Sequence, residues 1–105
     1  MGFNMQKLMK QAQRMQADVA RVQEGLKEKQ VEGQSGGGMV SVLANGAQEI
    51  ISVTIDPEVI DPQDKEMLED LVLAAVREAL AASRKLAEQE MNKVTGGMGL
   101  PGGMF

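Results

Sequence analysis

Apolar residues in the first third of the chain recur with the spacing of a long amphipathic helix. Between residues 5 and 26 they step by three and four positions in alternation, which places them on one side of an α-helix; they are Met5, Leu8, Ala12, Met15, Val19, Val22 and Leu26. Three such heptads form a seam that suits lengthwise packing against another helix. That helix belongs either to the same chain, which we favour, or to another chain.

Basic residues occupy a different side of the same predicted helix. Lys7, Arg14 and Arg21 recur every seven residues, and Lys10 lies within one turn of both Lys7 and Arg14. At 3.6 residues per turn these four side chains form one line, the basic stripe, which faces away from the apolar seam. The first helix is therefore predicted to have an apolar side and a basic side.

The pattern then changes to glycines and short β-rich runs. Gly33 and the run 36–38 interrupt the helical spacing, and a short strand is expected near residues 31–35. The runs MVSVLA and AQEIISVTI flank Asn45-Gly46, which predicts a hairpin closed by a type I′ turn. Pairing of Ala44 with Ala47 would then define a core face that consists of Val40, Val42, Ile51, Val53 and Ile55.

The opposite face of that hairpin is more apolar than a fully solvated surface requires, because it carries Met39, Leu43 and Ile50. We therefore expect this face to be partly covered, and a second subunit is one candidate for the cover.

Aspartate-proline pairs precede a second predicted helix. Asp56-Pro57 predicts a short helical turn, and Asp61-Pro62 predicts a helix that has Asp61 as its N-cap and runs to about Val94. One stripe of this helix is alanine-rich, which permits a close approach of a sheet or of another helix; the stripe is Leu68, Val72, Ala75, Ala79, Ala82 and Leu86. Residues 96–105 contain few groups that would order them, so we expect a flexible tail.

The element order predicts an α+β fold of helix, three-stranded antiparallel sheet and helix within residues 1–95. A single domain of 105 residues buries only part of its surface, so a partner chain would help to complete the core. No apolar run is long enough to span a bilayer and no signal sequence is evident, so the expected location is the cytoplasm, away from membranes.

The composition argues against an enzyme. The chain contains no Cys and no His, so it lacks the usual zinc ligands, the commonest proton shuttle and a thiol nucleophile. The glycine run 36–38 lacks the Gly-Lys-Ser ending of a phosphate loop. Carboxylates cluster between residues 56 and 70, where helix capping explains them better than a hard-cation site. We therefore expect no cofactor, no metal and no small-molecule substrate.

Charge is distributed unevenly along the chain. The net charge is −4 and the pI about 4.8, the wrong sign for a generic polyanion binder. Residues 1–30, however, hold six basic and three acidic residues, whereas the remainder holds five basic and twelve acidic ones. Any affinity for nucleic acid must therefore arise from the first helix rather than from the total charge.

The sequence resembles the YbaB/EbfC family of bacterial nucleoid-associated proteins. Four stretches carry the resemblance in the same order and spacing, and they cover nearly the whole chain; they are MQKLMKQAQRMQ, GGGMVSVLANGAQEIISVTIDPEVI, LEDLVLAAVREAL and MNKVTGGMGLPGGMF. The resemblance implies a tweezer-like homodimer, joined through its sheets, that binds double-stranded DNA and acts in nucleoid organisation and gene expression.

Carried over by position, the exposed bases that match the family are Lys7, Lys10 and Arg14, and Arg21 completes the basic stripe. Arg84, Lys85 and Lys93 of the second helix follow, in surroundings that match less closely. Two other functions are weighed against DNA binding. One is a protein-interaction adaptor that uses its helical arms or apolar sheet face, and the other is a metal-dependent hydrolase built on the acids of residues 56–70.

Overall fold

The chain folds in the predicted order of helix, three strands and helix. The computed structural model describes residues 4–97. Its main elements are helix α1 (Met5–Glu28), strands β1 (Gln30–Ser35), β2 (Val40–Asn45) and β3 (Ile50–Ile55), and helix α2 (Lys65–Gly97). Two 3₁₀ turns, Gly36–Gly38 and Pro57–Val59, connect β1 to β2 and follow β3. The α+β class, the first strand, the glycine turn and the Asp56-Pro57 turn are all confirmed.

Helix α2 covers one face of an antiparallel sheet whose strand order is β1-β2-β3. The helix lies across β1 and β2 and leaves β3 largely without contact. The fully buried apolar residues come from the central strand and from the predicted stripe of α2; among the described residues they are Val40, Val42, Ala44, Ala75 and Ala79. The core is therefore small, aliphatic and restricted to two of the three strands.

Gly33 permits the close contact between β1 and α2. A Cβ atom placed on Gly33 would lie 2.3 Å from the Ala79 amide nitrogen and 2.4 Å from the Ala75 carbonyl oxygen. Both atoms belong to the helix backbone, so no side-chain rotation relieves the overlap. The alanines opposite this glycine permit a close approach, as predicted, and the element that approaches them is the sheet.

Replacement of Gly33 by alanine should therefore separate the sheet from α2. We expect a loss of about 3 kcal/mol in the free energy of unfolding, at the upper end of the usual range for overpacking, because an overlap with backbone cannot relax locally. Gly25→Ala is the matched control, since a Cβ at Gly25 would meet nothing within 4 Å. Gly25 lies in the last turn of α1, where alanine should stabilise the protein by up to about 1 kcal/mol. Urea unfolding of both variants measures the difference, and equal stabilities would contradict this packing.

The β2–β3 hairpin exists, but the predicted two-residue turn and the pairing of Ala44 with Ala47 are wrong. Ala44 pairs with Ile50 across a longer loop, and the register shifts beside it. The reason is a tertiary contact: Gly46 packs so closely on the end of α1 that a Cβ there would lie 2.6 Å from Leu26 Cδ2. The Gly46 amide donates to the Leu26 carbonyl oxygen at 2.8 Å. The positive φ of the loop falls at Gln48 instead.

Polar groups fix this loop in place. The Asn45 side-chain oxygen accepts hydrogen bonds from the amides of Ala47 (2.9 Å) and Glu49 (3.0 Å). The buried Ser83 hydroxyl of α2 donates to the Asn45 carbonyl oxygen at 2.7 Å and accepts from the Gln48 amide at 3.0 Å. The loop is thus held between α1 and α2.

The predicted core face of the hairpin is buried only in part. Val40 and Val42 are fully buried, and Ile55 is half-buried beside them. Val53 pairs with Val42 on that same face but is 45% exposed, and Ile51 is 47% exposed. The prediction that these two residues lie in the core is wrong for the single chain, because α2 does not extend over β3. The sequence predicts Ile50 on the opposite face of the hairpin. In the structure Ile50 pairs with Ala44 and therefore lies on the face of the sheet that α2 covers.

Helix α2 begins three residues later than predicted. The Asp64 side chain caps it by accepting a hydrogen bond from the Met67 amide at 3.1 Å, and Lys65 is its first residue. Asp61, the predicted N-cap, accepts from the Gln63 amide at 2.9 Å, and its carbonyl oxygen receives the Asp64 amide. The Asp61-Pro62 pair therefore makes a turn ahead of the helix. At its other end α2 continues to Gly97, and residues 98–105 of the predicted tail lie outside the described residues.

Helix α1 projects from the rest of the molecule. Its C-terminal end is anchored by the buried Leu26, whereas Met5, Leu8 and Met9 are 61%, 45% and 58% exposed. The molecule measures 76 × 26 × 16 Å and has a radius of gyration of 20.2 Å, against about 13 Å for a compact domain of this length. The predicted pairing of the apolar seam with α2 holds only toward the C-terminal end of α1.

Within residues 4–97 no helix is long and apolar enough to cross a bilayer.

Candidate nucleic-acid interface

The basic stripe lies on the projecting arm that α1 forms. Lys7, Lys10, Arg14 and Arg21 are all exposed. With a rise of 1.5 Å per residue, the stripe extends about 21 Å along the helix, and its heptad-spaced bases stand about 10 Å apart. The helix begins at an Asn4 cap, whose side chain accepts from the Lys7 amide at 3.2 Å. The periodicity of the sequence thus becomes a line of cations on one side of an arm.

Lys7, Lys10 and Arg14 carry charge that the fold does not compensate. The ion pairs found among the described residues involve Arg21, Lys27, Lys29 and Lys93, and none includes these three bases. Arg21 differs, because its guanidinium contacts the Asp18 carboxylate at 3.0 Å. The positive charge available to a polyanion is therefore concentrated in the N-terminal part of the stripe.

A groove between α1 and α2 brings three of the predicted site residues together. Arg14 and Arg21 line it from α1, and Lys93 lines it from α2, beside Asp18 and Glu90. Arg84 and Lys85 are also exposed on α2, between the sheet-covering part of the helix and this groove. Of the predicted residues of α2, Lys93 thus shares a groove with the stripe, whereas Arg84 and Lys85 lie outside that groove.

Glu90 links the two helices electrostatically. Its carboxylate accepts hydrogen bonds from the ammonium group of Lys29, which directly follows α1, and from that of Lys93 at 2.7 Å. The hydrogen bond from Lys29, followed by that from Lys93, lowers the pKa of Glu90 from 4.5 to about 2. Sequence reasoning missed this link, because Lys29 and Glu90 are 61 residues apart and no local pattern connects them.

Replacement of Glu90 by glutamine should destabilise the protein at neutral pH and much less in acid. A lowered carboxyl pKa stabilises the fold above the unfolded-state value of 4.5, and this contribution fades as the pH falls from about 4.5 to about 2. Urea unfolding at pH 7, 5 and 3 should show a stability difference that is constant between pH 7 and 5 and smaller at pH 3. Glu88→Gln is the control, because this exposed residue makes none of the ion pairs found. A difference that persists undiminished at pH 3 would contradict the link.

Three of the acidic residues between positions 56 and 70 act in capping. Asp56, Asp61 and Asp64 each accept a hydrogen bond from a backbone amide two or three residues further along. No group of three or more acidic residues within the described part of the chain is arranged to hold a metal ion. These three aspartates therefore stabilise the two turns and the start of α2.

A comparison with known proteins identifies the family of this chain. The profile of the YbaB/EbfC DNA-binding family matches residues 1–98. The chain belongs to the YbaB/EbfC DNA-binding family. This family is one of nucleoid-associated DNA-binding proteins and not of enzymes, so the sequence-based resemblance and the expectation of a non-enzyme are both confirmed.

Individual relatives of this YbaB/EbfC protein carry the same description. It is 52% identical to the nucleoid-associated protein TTE0040 of Caldanaerobacter subterraneus over 101 residues, which are 96% of this chain and 91% of the relative. It is 57% identical to a nucleoid-associated protein of Moorella thermoacetica over 99 residues, 94% and 95% of the two chains. A solved structure, the uncharacterized protein HP0035 from Helicobacter pylori, is similar with a TM-score of 0.63 and 27% identity, covering 74% and 90% of the two chains.

Proposed function

We propose that this YbaB/EbfC protein binds double-stranded DNA as a homodimer, through the basic stripes of its two α1 arms. The observation that carries the proposal is the uncompensated row of Lys7, Lys10 and Arg14 on a projecting helix of a DNA-binding family member. Along duplex DNA the phosphates of each strand follow at about 3.4 Å per base pair, so a stripe of about 21 Å matches roughly six base pairs.

The chemistry of the stripe favours contact with phosphates over reading of bases. Lysine and arginine side chains on one helix side, repeated every seven residues, form a line of point charges that suits a polyanionic backbone. Arg21 and Lys93 are held by Asp18 and Glu90 in the free protein, so they become available to phosphates only when these ion pairs open. We therefore assign the first contacts to Lys7, Lys10 and Arg14, and secondary contacts to Arg21, Arg84, Lys85 and Lys93.

The uncovered part of the sheet supports the homodimer. Ile50, Ile51 and Val53 of β3 are exposed in the single chain. Beside them, Ile55 forms an apolar groove with residues of α2, namely Leu68, Val72, Leu73 and Val76. An exposed apolar surface of this kind next to an unpaired edge strand is typical of an interface. A second copy seated here would cover β3 and would present the basic stripe twice.

Doubling of the stripe accounts for DNA binding by an acidic chain. Each protomer has a net charge of −4, and its acidic residues lie mainly after residue 30. In a dimer joined near β3, the acidic sheets and α2 helices of the two protomers lie at the centre. The basic stripes of the two α1 arms then lie at the periphery. The local field at the arms, rather than the total charge, then guides the approach of DNA. We place the protein on the nucleoid in the cytoplasm, where it would act in chromosome organisation and gene expression.

Competition binding tests the preference for the duplex. A labelled duplex bound to the purified protein should be displaced by unlabelled duplex, and much less by the same mass of single-stranded DNA. Light scattering on the same preparation should report twice the mass of one chain. Equal displacement by both competitors would contradict the double-stranded preference, and a monomeric mass would contradict the dimer.

A further inference from the structure

An aspartate interrupts the basic stripe on the arm. Asp18 follows Arg14 by four positions and precedes Arg21 by three. Residues at these spacings are neighbours on one side of a helix, so Asp18 lies in the gap between the last two bases of the stripe. It is the one acidic residue of the sequence between Lys7 and Arg21. The sign of the charge therefore changes within the stripe at a single position.

The Asp18 carboxylate is directed at the bases on both sides of this gap. Its Oδ1 atom lies 3.0 Å from Nη2 of Arg21, and the aspartate side chain is 28% exposed whereas the arginine side chain is 74% exposed. Asp18 and Arg14 also line the groove between the two helices, opposite Glu90 and Lys93 of α2. A phosphate that approaches Arg21 therefore meets a guanidinium that already has an anionic partner.

We propose that Asp18 limits the length of duplex that each arm contacts and the affinity of that contact, an inference that rests on the proposed binding of DNA through α1. Carboxylate and phosphate compete for the same guanidinium, because both are oxyanions that accept its N–H groups. With Asp18 in place, the stripe contacts phosphates from Lys7 to Arg14, a rise of about 10 Å or roughly three base pairs. With Arg21 released, the contact extends over about 21 Å, or roughly six base pairs.

Asp18 is a better position for a test than the second carboxylate of the groove. Glu90 accepts a hydrogen bond from Lys93 at 2.7 Å and another from Lys29, and so it joins α2 to the end of α1. Its replacement would change the fold and the DNA contacts together. The ion pair of Asp18, by contrast, stays within one helix, to Arg21. A change at Asp18 therefore alters the charge of the stripe without loss of a link between the helices.

Replacement of Asp18 by asparagine removes the charge and keeps the shape of the side chain. Arg21 then becomes available on both arms of a dimer, which adds two phosphate contacts. The slope of log K against log salt should steepen from about −5 to about −7, because each neutralised phosphate contributes about −0.9. The variant should bind more tightly than the parent protein, and this advantage should shrink about tenfold between about 50 and 200 mM salt. Fluorescence anisotropy with a labelled duplex measures both quantities.

Two further variants separate the release of Arg21 from a general change of charge. Glu24→Gln removes the same charge from the same helix, but its ion pair, at 3.7 Å, is with Lys27, which is not part of the stripe. This variant should keep a slope of about −5. The double variant Asp18→Asn, Arg21→Gln lacks the released guanidinium, so its slope should also return to about −5. Equal helix content by circular dichroism confirms that all three variants are folded.

Each of the other results would overturn the inference. A slope that stays at about −5 in Asp18→Asn would do so and would leave DNA binding through the stripe intact. A steeper slope that persists in the double variant would mean that Arg21 is not the added contact. Equal steepening in Glu24→Gln would assign the effect to net charge. Absence of duplex binding by the parent protein at low salt would instead overturn the proposed function, and this inference with it.

Discussion

Reversal of Lys7, Lys10 and Arg14 to glutamate should abolish detectable binding to duplex DNA and leave the fold intact. All three side chains are exposed, and none takes part in the ion pairs found among the described residues. The change places six repelling charges on the two arms of a dimer. A loss of six phosphate contacts alone accounts for a drop in affinity on the order of a thousandfold at moderate salt, and repulsion adds to it. A gel-shift titration with a random duplex measures the effect.

The matched control reverses three bases that lie away from the stripe. Lys27, Lys65 and Arg77 are also exposed, so changing them to glutamate alters the net charge by the same amount. If DNA binding depends on the stripe, this control should retain affinity within about tenfold of the parent protein, because distant surface charges are largely screened in salt. Equal losses in both triple variants would show that only total charge matters, and unchanged binding in the first would remove α1 from the interface.

Replacement of Val53 by aspartate should split the homodimer into folded monomers. The side chain is 45% exposed in the single chain, so the monomer tolerates the change. In a dimer that covers β3, each of the two copies would bury an unpaired carboxylate. At about 2 kcal/mol for each copy, the dimer should weaken about a thousandfold. Sedimentation over a range of protein concentrations measures the dissociation constant.

Thr54→Asp is the control for that substitution. Thr54 is exposed on the same strand, but it pairs with Ser41 and points to the opposite face of the sheet. We expect this variant to remain a dimer, since the covered face is the one that Val53 shares with Val42. Dissociation by Thr54→Asp alone would place the interface on the other face. Dissociation by neither variant would contradict an interface at β3.

The helices could be predicted from sequence because their evidence is local and repeated. The three-and-four spacing from Met5 to Leu26 and the alanine stripe of α2 both persist over several turns, and both helices lie where this spacing places them. The start of α2 could not be predicted in the same way, because Asp61 and Asp64 have the same side chain and are equally suited to cap a helix. The choice between them depends on the turn that Asp61 and Pro62 form ahead of the helix.

The hairpin register could not be predicted from the strands alone. Asn45-Gly46 has the composition of a tight turn, yet Gly46 is used to pack against Leu26, and the positive φ falls at Gln48. The exposure of Val53 likewise depends on where α2 crosses the sheet, which alternation along β3 does not reveal. These features are set by contacts between distant elements, so only the assembled fold shows them.

The candidate site shows the same division between local and distant evidence. The stripe of Lys7, Lys10 and Arg14 follows from helical spacing and lies exposed as expected. The ion pairs of Arg21 with Asp18 and of Lys93 with Glu90, by contrast, could not be predicted from spacing. Lys7, Lys10 and Arg14 form no such pair with any residue of 4–97. Sequence spacing alone treats all of these bases as equivalent.

The most direct test of DNA binding through the stripe is fluorescence anisotropy of several unrelated labelled duplexes, titrated with the protein at a series of salt concentrations. We expect similar affinity for all duplexes and a linear fall of log K with log salt. The slope should be about −5 if the six bases Lys7, Lys10 and Arg14 of a dimer each neutralise one phosphate. No binding at the lowest salt, or a slope near zero, would contradict the account.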